Sequence, residues 1–285
     1  MHTIDVLFLL APVAVVPLGL TILLRGESPV FRTESWRASW TIAAAAAAAS
    51  FFLHQGVFSA IVAGGWFLFT AALLVASLGG LWPAVDLVSA VARFGALAYL
   101  SGGAVWLVMS RAGMTPLSFA EPIVLLTAVH FHFAGFAATV LAAAARDALA
   151  QRAGRAPLYV TVALVGALVA PAVTAAGFVF SRQLQLAGVA LSAVSTALVS
   201  LAAWRAAPAI ERRAARLLVR TSALSVPIAM ALAVFYAVGE LRGELWVSIP
   251  RMALWHGVLN AVGFSLCGTL GWTWQILAGA GEVQR

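Results

Sequence analysis

Apolar stretches of helix-spanning length recur from one end of this chain to the other, broken by short arginine-bearing segments. A helix needs about 20 mostly apolar residues to cross a bilayer. Such stretches lie near 4–24, 36–53, 57–78, 84–110, 121–145, 157–180, 184–204, 217–238 and 251–277. Hydrophobic residues make up 63% of the 285 and charged residues 9%, where an ordinary soluble domain carries about 25% charge. No single core could hide that much apolar surface from water. Lipid can solvate the outside of each helix, provided every backbone group is satisfied inside it. The expected fold is therefore all-α: a polytopic membrane bundle of about nine transmembrane helices in one domain, 1–285, in a bacterial cell membrane. The breaks are too short to hold a soluble domain. The narrowest is His54-Gln55-Gly56, between the second and third helices.

Charge placement tests that count. All 17 basic residues are arginine. With nine passes, Arg25, Arg32, Arg37, Arg146, Arg152, Arg155, Arg205, Arg212, Arg213, Arg216, Arg220 and Arg285 fall on one side, and only Arg111, Arg182, Arg242 and Arg251 on the other. Arg93 lies within a helix. Short cytoplasmic loops carry the basic excess, so the N-terminus is expected outside and the C-terminus in the cytoplasm. The net charge of +7 then orients the protein and does not mark a nucleic-acid binder. Cys267, the one cysteine, excludes an internal disulfide or CxxC site and reads as a small packing residue. The N-terminus lacks the basic start and cleavage site of a signal peptide, so it is expected to be the first span.

An ionisable group at the centre of a membrane helix costs at least about 2.5 kcal/mol, and so needs a partner or a wet cavity. The candidates are Asp86, Arg93, His130, His132 and His256, with Glu121 and Arg251 near helix ends and Asn260 as a polar companion. From a rise of about 1.5 Å per residue, Arg93 lies roughly 14 Å from the inner face. His130 and His132 lie roughly 12–15 Å, His256 roughly 8 Å and Asn260 roughly 14 Å from the outer one. If the fourth, fifth and ninth helices are neighbours, these groups converge near mid-membrane. Asp86 and Arg93, seven apart, share a face and suit an ion pair or a water bridge. His256 and Asn260, four apart, also share one. His130 and His132, two apart, point nearly oppositely, so one is expected to face a cavity while the other bonds a neighbouring helix. Glu121, eleven before His132, is expected at the outer mouth, where with Pro122 it also suits a helix start.

Two segments carry a resemblance. Leu126-Thr127-Ala128-Val129-His130-Phe131-His132-Phe133-Ala134-Gly135-Phe136, and Arg251-Met252-x-x-x-His256-Gly257-x-x-Asn260-Ala261-x-Gly263-Phe264, resemble the YndJ-like family of bacterial membrane proteins. The resemblance implies that His130, His132, His256 and Asn260 belong to that family's polar core. It also implies a further soluble portion in larger relatives, after the membrane region, that is not in this sequence. It implies no particular activity, although "transporter" is a label used for the group.

Three functions compete. In the first, a membrane-embedded enzyme isomerises or cyclises a lipophilic small molecule by acid–base chemistry without a cofactor. His130, His132, His256, Glu121 and Asp86 would exchange protons, and Arg93, Asn260 and Arg251 would hold the substrate. The second is a proton-coupled transporter of a small or lipophilic compound, using the same histidines. The third is a metal- or haem-binding membrane protein, against which the two-residue spacing of His130 and His132 counts. No metal site is expected.

Overall fold

The computed structural model describes residues 2–24, 33–78 and 86–282, without the side chains of 279–282. Among the described residues there are nine long helices and no strand. They are α1 (Thr3–Leu24), α2 (Glu34–Ser50), α3 (Val57–Leu78), α4 (Leu87–Ala112), α5 (Ile123–Ala153), α6 (Leu158–Phe180), α7 (Arg182–Ala206), α8 (Arg213–Arg242) and α9 (249–282). Eight are long and apolar enough to cross a membrane. The other, α2, has 17 residues, about 25 Å of helix. It lies antiparallel along α3, with Trp36 on Phe69, Ala46 against Gly65, and the Ser59 hydroxyl donating to the Ser50 carbonyl at 2.9 Å. The chain is a polytopic helical bundle, as its apolar periodicity predicts.

The helix ends follow local chemistry. Thr33, Asp86 and Ser181 accept a backbone N–H at the starts of α2, α4 and α7, filling donors that no helical carbonyl reaches. Gly113 and Gly154 close α4 and α5 with φ of +72° and +74°, a conformation in which a Cβ would be strained. The last turn of α5 runs to Ala153, further than the apolar pattern reaches, because its final residues are polar but still helix-forming.

Small residues let the helices approach closely, the main source of packing where lipid is as apolar as any side chain. Gly263 and Gly268 of α9 sit on Ser225 and Ser222 of α8, and the Ser222 hydroxyl donates to the Phe264 carbonyl at 2.7 Å. Gly177 and Gly188 join α6 to α7. The most enclosed helix is α5, with 67% of its apolar stretch buried against 28% for α3. Hence α5 is the centre of the bundle and α3 a rim. It packs on α4, on α1 and on the middle of α9.

Three helices depart from α geometry. Wider π-helical turns occupy 11–15 in α1, 131–137 in α5, and 253–257 and 259–266 in α9. Such turns insert a residue and re-aim side chains, and they concentrate at functional sites. The histidines and Asn260 lie in or beside them.

Candidate functional site

His130 and His256 meet across one cavity. Each lies seven positions into a helix that begins at the same end of the bundle, so their depths agree. Their ring centroids are 6.4 Å apart, with planes inclined by 25°. The cavity has a volume of about 470 Å³ and is walled mainly by apolar side chains of α5 to α9, among them Phe131, Phe133, Phe178, Met230 and Phe264. Leu7 and Trp106 close it from α1 and α4.

Hydrogen bonding fixes the chemical form of both rings. His130 Nδ1 donates to the Leu126 carbonyl at 2.7 Å, and His256 Nδ1 donates to the Ala229 carbonyl of α8 at 2.8 Å. A carbonyl can only accept, so each Nδ1 carries a proton, and Nε2 is the nitrogen left for proton exchange. At His256, the Asn260 amide donates to Nε2 at 3.2 Å and to the His256 carbonyl at 3.1 Å. Its approach to Nδ1 at 3.3 Å sets donor against donor and orients nothing. His130 is accessible in the cavity wall with an open Nε2.

His132 has the opposite surroundings. It is fully buried, its Nδ1 donates to the Ala128 carbonyl at 2.8 Å, and its Nε2 accepts from the Trp66 indole of α3 at 2.9 Å. Phe8 packs edge-on at 5.0 Å between centroids, and Gly103 of α4 comes so close that a Cβ would lie 2.6 Å from Nδ1. Both nitrogens are engaged, so His132 pins α3, α4 and α5 together and takes no part in the cavity. Of the two histidines, His130 lines the cavity and His132 does not.

The other candidates lie elsewhere. Arg93 does not converge with the histidines. The level of His132 corresponds to Gly103, ten residues further along α4, so Arg93 stands about 15 Å nearer the arginine-rich end. Asp86 does not pair with Arg93. It caps α4 by accepting from the Ser89 N–H at 2.7 Å, and it binds Arg146 of α5 at 2.6 Å. The Arg146 hydrogen bond, helped by the Ser89 N–H, holds its carboxyl at about 2 instead of the ordinary 3.8. Arg251 is exposed on the first turn of α9 and lines no part of the cavity.

Glu121 does not line the histidine cavity but a second depression of about 610 Å³ shared with His2, Asp5, Gln55 and Arg111. The Ser110 hydroxyl and the Leu125 N–H both donate to its carboxylate, at 2.5 and 3.2 Å. Ile249 and Ala253 line both this vestibule and the histidine cavity, so they form the partition between them.

Several functional contacts were not visible in the sequence. Arg111 reads as a loop charge, yet it is buried and donates to Ser59 Oγ at 3.1 Å and the Leu53 carbonyl at 2.9 Å, with its guanidinium over Phe51. Tyr236 reaches the cavity one turn before Glu240, and Gln185, Thr174 and Thr196 add polar groups to the far wall. Trp66 looks like one interface aromatic among ten tryptophans. Only a count of hydrogen-bond needs, pairing an indole donor with a histidine acceptor, could have singled it out.

Comparison with known proteins identifies the family. Over 210 residues the chain is 27% identical to the "Uncharacterized membrane protein YndJ" of Bacillus subtilis (strain 168). That stretch covers 73% of this chain and 37% of the relative, so the chain matches well under half the relative's length. No solved structure matches. The family model described as YndJ-like protein matches residues 6–264, which takes in α2 to α8 whole, most of α1, the first half of α9 and both cavity histidines. The chain is thus a multi-pass membrane protein that belongs to the YndJ-like family.

Proposed function

We propose that the protein is a membrane-embedded enzyme that isomerises or cyclises a lipophilic small molecule by proton transfer at His130 and His256. The observation that carries this reading is the facing pair of imidazoles, each with its Nδ1 proton held by a carbonyl and its Nε2 left for proton exchange. His130, with its Nε2 open, is the base that takes a proton from one substrate position. A water between the rings passes that proton to His256, which returns it to another substrate position, so a cycle ends with both rings in the form in which they began and consumes no proton. The apolar wall selects a lipophilic substrate and keeps bulk water from the reacting pair. Phe131, Phe133 and Phe264 line the wall, and aromatic rings suit positive charge developing during the reaction.

Isomerisation and cyclisation both conserve mass, which makes the test specific. Purified protein is incubated with a bacterial membrane lipid extract, and species of unchanged mass but altered chromatographic retention are sought. The expected result is such a conversion, reduced at least about 100-fold by His130→Ala or His256→Ala and retained by Arg251→Gln. Conversion at full rate in both histidine variants would reject the assignment. Flux of an unaltered compound across proteoliposomes would instead favour a proton-coupled transporter.

A further inference from the structure

Away from the cavity, the arginine-rich end of the bundle carries a cluster of guanidiniums tethered by carbonyls and aromatic rings. Arg216 of α8 donates to the carbonyls of Ile210 and Glu211 at 3.0 and 3.3 Å. Arg220, one turn further along, lies over the Trp204 ring of α7 at 5.2 Å, and its Nε is buried with no hydrogen-bond partner. Arg205 lies over Tyr159 at 5.4 Å, and Arg152 donates to the Arg205 carbonyl at 3.0 Å. Among the described residues, none of these four arginines forms an ion pair with a carboxylate. An arginine has five N–H donors, so most of their hydrogen-bonding capacity is left open around a concentrated positive charge.

The surface below the cluster is apolar and exposed. On α8, Leu217, Leu224 and Ile228 follow a helical stripe that passes through Arg220. On the adjoining α7, Val194, Leu201 and Trp204 form a matching stripe. A cationic cap above a paired apolar track is complementary to a molecule with an anionic head and long acyl chains. The cluster sits at the ends of membrane-crossing helices, the level at which lipid headgroups lie.

We propose that the seam between α7 and α8 is a binding site for an anionic phospholipid, with its phosphate held by Arg205, Arg216 and Arg220 and its chains along Leu201, Leu217 and Leu224. Trp204 carries the Arg220 guanidinium at the boundary between head and chains. Glu211, in the same turn, directs its backbone carbonyl to Arg216 and leaves the guanidinium charge for the phosphate. This site is independent of the histidine cavity and of the reaction proposed there.

The test uses the whole protein. Phosphatidylglycerol and phosphatidylcholine of the same chain length are titrated into detergent-solubilised protein, and bound lipid is counted by native mass spectrometry. The expected preference for phosphatidylglycerol falls roughly thirty-fold in the double variant Arg216→Gln/Arg220→Gln, the weight of two surface arginines facing anionic lipid. Arg242→Gln, at the opposite end, leaves the preference unchanged. Equal binding of both lipids by the wild type would overturn the proposal even if the double variant failed to fold. So would a preference that survives in a folded double variant. Inorganic phosphate that displaces phosphatidylglycerol at equal concentration would show a free-anion site, which also overturns it.

Discussion

His130 and His132 stand two positions apart, one in the cavity wall and the other locked between helices. Removing the His132 ring leaves the Trp66 N–H buried without an acceptor and opens a void beside Phe8. His132→Ala should cost about 3 kcal/mol in a denaturation measured in detergent. His130→Ala, at an accessible position in the cavity wall, should cost under about 1 kcal/mol while abolishing turnover. A similar loss of stability in both variants would contradict the division. Asp86 supplies a residue-scale test of pH. Its folded carboxyl is held at about 2, below the ordinary 3.8. The pair with Arg146 therefore contributes fully above about pH 4, and that contribution is lost as the pH falls toward 2. Asp86→Asn keeps a side-chain acceptor for the helix cap and removes only the ion pair. The gap in thermal midpoint between wild type and this variant should be widest near neutral pH and should close as the pH nears 2. The sequence shows which side chains a membrane would resist, and His130, His256 and Asn260 stand together as their spacing suggests. It does not show that Asp86 belongs to Arg146, sixty positions away, because that pairing depends on how α4 and α5 cross.

Pro171 shows how one helix is repaired by another. A proline within α6 has no N–H and pushes the preceding turn apart. The Tyr99 hydroxyl of α4 enters the opening, donating to the Leu168 carbonyl at 2.7 Å and accepting from the Ala172 N–H at 3.1 Å. It stands in for the hydrogen bond that these two backbone groups would otherwise share. Tyr99→Phe should therefore destabilise by about 1–3 kcal/mol, and by less in a Pro171→Ala background where the helix can close on itself. Strict additivity in that double-mutant cycle would argue against the repair. At this scale, the apolar pattern locates all nine helices, with every end within about five residues except that of α5, which runs two turns beyond 145. Depth within them was harder to read. Placing Arg93 beside the histidines meant counting inward from opposite faces, and α4 with its 26 residues spans about 39 Å. Counts from its two ends therefore stop at different levels. The π turns of α5 and α9 were also hidden. They are adjustments to the packing of neighbouring helices, and no residue pattern in a single helix encodes them.

Across the described residues, each long helix carries the chain back to the face from which the previous helix set out. That alternation gathers Asp86, Arg146, Arg152, Arg205, Arg216 and Arg220 at one end of the bundle and His2, Gln55, Arg111, Glu121 and Ile249 at the other. The sorting of arginines between alternate loops was legible because it needs only the number of passes. Which helices are neighbours was not, since that depends on where glycines and serines let backbones touch. The matched depth of His130 and His256 has an electrical consequence. A proton moving between rings that stand level with each other travels parallel to the bilayer and crosses none of the membrane voltage. A full charge carried across the membrane would be worth about 2.3 kcal/mol per 100 mV, whereas this lateral exchange should leave the rate unchanged. Turnover in proteoliposomes should accordingly be the same under potassium diffusion potentials of either sign. A rate that followed the voltage would mean that protons cross the membrane through the cavity, and the protein would then behave as an electrogenic machine.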